Sequence, residues 1–157
     1  MKKIRYYLDT SIFSFVFADD DPARRDLTKR FFQKVKNEKL DIYISSTVLD
    51  EISKAKNENL RVSLRDLIEK QSPIILTVNS EVEDLANKYI HEGMIPKRYM
   101  DDAIHIAVAV VNDLDIILSW NFEHIVKLKT RIETNSINRV LGYHQIEICS
   151  PLEVVEP

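Results

Sequence analysis

Ile4-Arg5-Tyr6-Tyr7-Leu8, followed at once by Asp9-Thr10-Ser11, is the stretch that decides the fold. The first five residues form a short apolar run of strand type, broken only by Arg5, and the run ends on an acid and two hydroxyls. A similar run from Asp115 to Ser119 ends on Trp120 and Asn121. Runs this continuously apolar suit strands covered on both faces, as in a parallel sheet. Further strand-type runs lie at Asp41–Ile44 and Ile74–Val78. Gln145–Cys149 alternates, with Ile146 and Ile148 on one face, as an edge strand does.

Helical patterns separate these runs. Asp21-Pro22 reads as an N-cap with proline at the first helical position, followed by Leu27, Phe31, Phe32 and Val35 at helical spacing. Ser46-Thr47 opens a helix carrying Val48, Leu49, Ile52 and Ala55, and Leu60, Leu64, Leu67 and Ile68 mark another. Ser80-x-x-Glu83 reads as a capping box before the stripe Val82, Leu85, Ala86, Tyr89, Ile90. Asp101 to Asn112 is apolar nearly all round, the mark of a buried helix. A short helix is expected from Asn121 and a helical stretch near Ile137–Leu141. Strands alternating with helices predict βαβ units, and so a three-layer α/β/α sandwich around a mostly parallel sheet of four or five strands. Neither linker composition nor repeats divide the 157 residues, which are expected to form one domain over 1–157.

Composition excludes several functions. Two glycines, Gly93 and Gly142, leave no room for a G-x-G-x-x-G turn or a P-loop. One cysteine, Cys149, allows neither an internal disulfide nor a cysteine zinc site. A net charge of −3 argues against nucleic-acid binding by bulk charge, so any such binding needs a local basic patch or a bound cation. Without an apolar span of ~20 residues or a signal-peptide pattern, no membrane association and a cytoplasmic location are expected.

In open parallel sheets, ligands bind outside the carboxyl ends of the strands. The polar residues there are Asp9-Thr10-Ser11, Ser45-Ser46-Thr47 with Asp50-Glu51 beyond, and Ser119-Trp120-Asn121; Asp101-Asp102 heads the buried helix. Each has a plainer reading. Asp9, Asp101 and Asn121 suit helix N-caps, and Thr47-x-x-Asp50 suits a capping box. His105 reads as a hydrogen-bonded core histidine and His124 as a surface or supporting residue. If Asp9, Glu51 and Asp102 converge, each pair about 5 Å apart repels by about 3 kcal/mol at an effective dielectric of 20. A site of that kind wants a cation or must hold a proton. An all-oxygen donor set without cysteine favours Mg²⁺ or Mn²⁺ over zinc. On the helix after Ser46, Glu51 shares the side of Val48 and Ala55, whereas Asp50 lies on a more polar face.

Tyr7-Leu8-Asp9-Thr10-Ser11, Glu51 within Val48-Leu49-Asp50-Glu51-Ile52, Asp102-Ala103 with Ile106-Ala107, and Ser119-Trp120-Asn121-Phe122 resemble, in order, the four motif blocks of PIN domains. The resemblance spans essentially the whole chain, whose length is similar to that of VapC-type toxin nucleases. It implies an α/β/α sandwich that cuts RNA with one or two Mg²⁺ or Mn²⁺ ions, a homodimer, and, for toxin members, an antitoxin protein as partner. Carried over residue by residue, Asp9, Glu51 and Asp102 match the three acids, and Asn121 stands at the fourth position, where many members have Asp. All four are expected as catalytic and metal-binding residues. Thr10 and Ser119 match supporting hydroxyls. Asp101 is an extra acid beside the third block and competes with Asp102 for that assignment.

Arg24, Arg25, Lys29 and Arg30, together with Lys97-Arg98, are the candidate phosphate contacts; the alternative is a solvated charged face. A dehalogenase-type phosphatase would need a second Asp where Ser11 stands. A receiver domain would need a carboxylate pair near the first strand and a lysine after a late one. The remaining rival is a PIN-fold module, catalytically weak or inactive, that binds RNA or protein, because the fold does not secure the activity.

Overall fold

A computed structural model describes residues 2–155. In chain order they form β1 (Arg5–Leu8), α1 (Thr10–Ser14), α2 (Pro22–Glu38), β2 (Asp41–Ser45), α3 (Ser46–Ser53), α4 (Glu58–Gln71), β3 (Ile74–Leu76), α5 (Ser80–His91), α6 (Met100–Val111), β4 (Ile116–Leu118), α7 (Leu128–Leu141), β5 (Glu147–Cys149) and α8 (Pro151–Val154). Single 3₁₀ turns occupy Phe15–Phe17 and Lys97–Tyr99. The strands lie in the order β3-β2-β1-β4-β5, and every ladder is parallel. The expected sandwich is therefore a five-stranded one, with the Gln145–Cys149 segment contributing an edge strand.

β1 is central because its side chains are apolar on both faces. Tyr7, with Ile117 and Ile148, joins the core beneath α5 and α6, packing with Tyr89, Ile106 and Val110. Tyr6 and Leu8, with Ile42, Ile44 and Leu118, face the other way onto Phe31, Val48 and Leu64 of α2, α3 and α4. The chain moves from β1 to β2 on one side and later returns to β4 on the other. This reversal opens a crevice at the carboxyl ends of β1 and β4, the usual place for a ligand in such sheets.

The caps mostly lie one residue from their expected places. Asp21 caps α2, accepting from the Arg24 N–H at 3.3 Å, as its sequence predicts. Ser45, rather than Ser46, caps α3 through the Thr47 N–H, and Asn79, rather than Ser80, caps α5 through the Val82 N–H. Asp101 is not the N-cap of α6; that position is Tyr99, and no side chain caps this helix. Asn121 opens no helix. Its Oδ1 accepts from the His124 N–H at 2.9 Å and closes a turn.

The largest departure is α7, which begins at Leu128, well before the helical stretch expected near Ile137. Its buried ridge is Thr130, Thr134 and Asn138, at successive i, i+4 positions, while Leu128, Ile132 and Val140 face outward. Polar side chains occupy the inner face because each has a partner there. Thr130 donates to the His124 carbonyl, Thr134 to the Met94 sulfur, and Asn138 accepts from the Tyr89 hydroxyl at 2.6 Å. Among the described residues, no helix is long and apolar enough to cross a membrane.

Candidate active site

Asp9 follows β1 in extended conformation, and its N–H still bonds the Leu118 carbonyl of β4, so the ladder fixes its position in the crevice. The residue is only 4% exposed. Oδ1 accepts from the Ser11 N–H at 3.0 Å and the Ser11 hydroxyl at 2.5 Å, while Oδ2 accepts from the Ser119 hydroxyl. The helix-cap and site readings of Asp9 are therefore both true, one for each oxygen. No Lys or Arg among the described residues pairs with it. Burial pushes its pKa up, against the nearby His105 and the two serines, which favour the charged form.

Glu51 turns inward from α3, and Asp50 is exposed, as the helix phase predicts. Thr10 donates to Glu51 Oε1 at 2.6 Å, and His105 Nε2 meets the same oxygen at 2.6 Å. His105 Nδ1 lies 2.7 Å from the Tyr7 hydroxyl, which lies 2.8 Å from Ser45 Oγ. Burial opposes charge on both partners. The pairing outweighs it, so the His105 pKa is raised and that of Glu51 lowered. In the charged imidazole both ring N–H groups donate. The line then reads Glu51 ← His105 → Tyr7 → Ser45, with every buried polar atom in it satisfied.

Asp102, in the first turn of α6, accepts from His124 Nδ1 at 3.1 Å, and the Asn121 side-chain amide stands near enough to favour its charged form. Burial raises its pKa, and His105, His124 and Asn121 partly restore the charged form. His124 is itself stacked on Tyr99, ring centroids 3.9 Å apart, and Arg98 lies over Tyr99 at 4.9 Å. Asp101 is exposed and makes none of these contacts, so it is Asp102 that turns toward the crevice. Ser119 Oγ, besides donating to Asp9, accepts from the Asn121 N–H at 2.9 Å.

Asp9, Glu51 and Asp102 are thus gathered around His105, whose field reaches all three. Asn121 joins through Asp102. Thr10 and Ser119 hold one carboxylate each. Among the described residues no three acidic, imidazole or thiol groups stand close enough to chelate one ion together. Sequence reasoning had Thr10 and Ser119 as supporting hydroxyls and His105 as a hydrogen-bonded core histidine, as their contacts here agree. It missed Ser11 as a support of Asp9 and the Tyr7 hydroxyl, which lies in an apolar run with no sign in the sequence of its partner. It also left Glu51 unnamed as the partner of His105.

The geometry makes His105 a strut for Glu51. His105→Leu is expected to lower affinity for Mn²⁺ about tenfold to a hundredfold, the range seen when a residue supporting a ligand is removed. Tyr7→Phe, which keeps the imidazole but removes its other contact, should have a smaller effect. Calorimetric Mn²⁺ titration of the two variants separates them, and equal affinities in wild type and His105→Leu would reject the strut.

The PIN domain family model matches residues 6–124, well over half the chain. The chain belongs to the PIN domain family. Among solved structures, VapBC2 from Rickettsia felis, bound to a DNA fragment from its promoter, is similar with a TM-score of 0.61 at 17% identity, covering 94% of this chain and 98% of that one. VapC20 from Mycobacterium tuberculosis, a Sarcin-Ricin loop cleaving toxin, gives a TM-score of 0.55 at 15% identity, covering 76% and 92%. VapBC-5 from the same organism gives 0.51 at 15%, covering 93% and 98%. At such identities the likeness is one of fold. No curated protein sequence matches the chain.

Proposed function

We propose that this chain is a metal-dependent endoribonuclease that hydrolyses RNA phosphodiester bonds, working as a homodimer and as the toxin of a toxin–antitoxin pair. The observation that carries the reading is Asp9: a buried carboxylate paired with no Lys or Arg among the described residues, held at the sheet's crevice and near the same histidine as Glu51 and Asp102. The donors fit a hard divalent cation such as Mg²⁺ or Mn²⁺, which is content with one or two carboxylates and several waters. When bound, such an ion supplies Lewis acidity and positive charge beside the phosphodiester. Of Asp9, Glu51, Asp102 and Asn121, one or two would bind it directly and the others through its waters, since among the described residues no three acids stand close enough to chelate one ion together. Ser11 and Ser119 hold one Asp9 oxygen each, Thr10 and His105 together hold Glu51 Oε1, and His124 holds Asp102 Oδ2. Lys97 and Arg98 stand beside this cleft through Tyr99 and serve as phosphate contacts.

A second reading, a PIN-fold module that binds RNA or protein without cutting, is favoured by one observation. Glu51 Oε1 already takes two hydrogen bonds, from Thr10 and His105, and Asn121 brings no charge. One experiment separates the two. Mn²⁺ at 100 times its Kd is expected to stabilise the native state by about 2.7 kcal/mol, and single-stranded RNA should be cut in its presence and not in chelator. If neither melting nor calorimetry responds to the ion and RNA binding persists in chelator, the module reading holds.

A further inference from the structure

Trp120 is placed with unusual rigidity for a residue in a loop. Its backbone N–H donates to the Ser11 hydroxyl at 2.8 Å, the same hydroxyl that donates to Asp9. Its indole N–H donates to Thr28 Oγ1 at 2.8 Å, and that hydroxyl in turn donates to the Arg24 carbonyl. The first turns of α2 are thereby tied to the loop that leaves β4. Through this tie the Arg24 guanidinium lies over two rings, 5.3 Å from the centre of Trp120 and 5.1 Å from that of Phe122, while the rings meet edge to face at 6.1 Å.

This arrangement is more than packing requires. Trp120 is buried and already satisfied by Thr28. Phe122 is 37% exposed, although it sits between Asn121 and the turn to His124, at the lip of the cleft. Arg24 has one weak ion pair, its Nε 3.6 Å from Asp21, and its Nη atoms donate no hydrogen bond among the described residues. Arg25 next to it is committed to Asp19 and Asp26 at 2.9 and 3.0 Å. An exposed aromatic face and a planar cation with free donors therefore stand together, braced to the residue that holds Asp9. Unpaired bases stack on aromatic and guanidinium planes, and guanidinium donors take phosphate oxygens. A base inside a duplex presents no face to such a shelf.

We propose that Arg24 and Phe122, braced by Trp120, form a subsite for one unpaired nucleotide of single-stranded RNA beside the acidic cleft. The base stacks on Phe122 and a neighbouring phosphate pairs with Arg24. The subsite rests on the nuclease reading and adds to it the residues that would hold one unpaired nucleotide.

The test measures binding of a fluorescent unpaired oligoribonucleotide and of a blunt RNA duplex in an Asp9→Asn background, where the strand stays intact. Phe122→Leu should weaken single-strand binding about tenfold or more without changing its salt slope, and Phe122→Trp should restore it. Arg24→Gln should weaken binding and reduce the salt slope by about 0.7, one phosphate contact on a single strand. Duplex binding should be weak and change little with Phe122→Leu. In an abasic scan of the oligonucleotide, one position should lose about tenfold with Phe122 present and nothing more in Phe122→Leu. Equal losses for strand and duplex, or no abasic position that depends on Phe122, would overturn the subsite. If the variants bind as tightly as their parent while wild type still cleaves RNA, the subsite fails alone. If wild type neither binds nor cleaves RNA, the nuclease reading fails and the subsite with it.

Discussion

Asp9→Asn is expected to lower RNA cleavage at least about 10²–10³-fold, the scale on which one directed electrostatic group acts in a dry site, and to leave the protein folded. Folding survives because asparagine caps a helix about as well as aspartate. The new Oδ1 keeps the Ser11 N–H that caps α1, and the new amide donates to Ser119 Oγ, which reverses one hydrogen bond without moving an atom far. Without metal the variant should melt higher. Burial raises the Asp9 pKa, so the native state holds its proton to higher pH than the unfolded chain does. The stability linked to this group is fully present below its unfolded pKa and is lost as pH rises through the raised native value. An asparagine at this position does not titrate and has no such loss. The melting gap should therefore open in favour of the variant on going from acid to neutral pH, by about 2–4 °C for each kcal/mol relieved. Saturating Mn²⁺ should reverse the order. Melting curves against pH, with and without the ion, check both halves. A variant that melts lower than wild type at every pH would show that the Asp9 carboxylate stabilises the metal-free fold rather than straining it.

Asn121→Asp should move metal binding in the opposite direction. Either residue can accept the His124 N–H and keep the turn. Only asparagine can donate to Asp102, so the variant sets carboxylate against carboxylate and should melt lower without metal. With metal, an added charge about 5 Å away contributes about 3 kcal/mol of attraction per unit of ionic charge at a dielectric of 20, before desolvation and screening. Part of that gain is lost in stripping water from the new carboxylate, and an increase in Mn²⁺ affinity of about tenfold to a hundredfold is expected. Calorimetry on both proteins at one ionic strength is the check. Identical affinities would leave Asn121 as a turn residue with no part in the site. Where chemistry limits the rate, cleavage should quicken as binding tightens.

These two positions also mark how far the sequence could be read. Asp9, Glu51 and Asp102 were legible because each follows a recognisable strand or heads a recognisable helix, and four weak blocks in order constrain one another. Helix phase was enough to tell Glu51 from Asp50. Of what aims the acids, Thr10 and Ser119 were legible as supporting hydroxyls and His105 as a hydrogen-bonded core histidine, but which acid each histidine meets was not. Tyr7, His105 and His124 are separated from their partners by long stretches of chain, and only the folded sheet brings Tyr7 under His105. The helix expected near Ile137–Leu141 is present, but its start nine residues earlier, at Leu128, went unread for a related reason. Hydrophobic periodicity assumes that the inner face is apolar, and Thr130, Thr134 and Asn138 line an inner face made of specific hydrogen bonds. Asn121 misled in the same way, since a side chain that caps a helix is equally able to close a turn.

The strand order has a consequence for the chain while it is being made. β1 leaves the ribosome first yet belongs in the middle of the sheet, and its partner on one side, β4, is translated only after α1 to α6. At ordinary translation speeds of about 5–20 residues per second, Asp9 waits on the order of ten seconds for Ser119 and His124. Throughout that interval one edge of β1 is open and the crevice has a single wall. On the nuclease reading, a nascent chain could not attack RNA around it, its own message included, until Ser119 and His124 had emerged to meet Asp9 and Asp102.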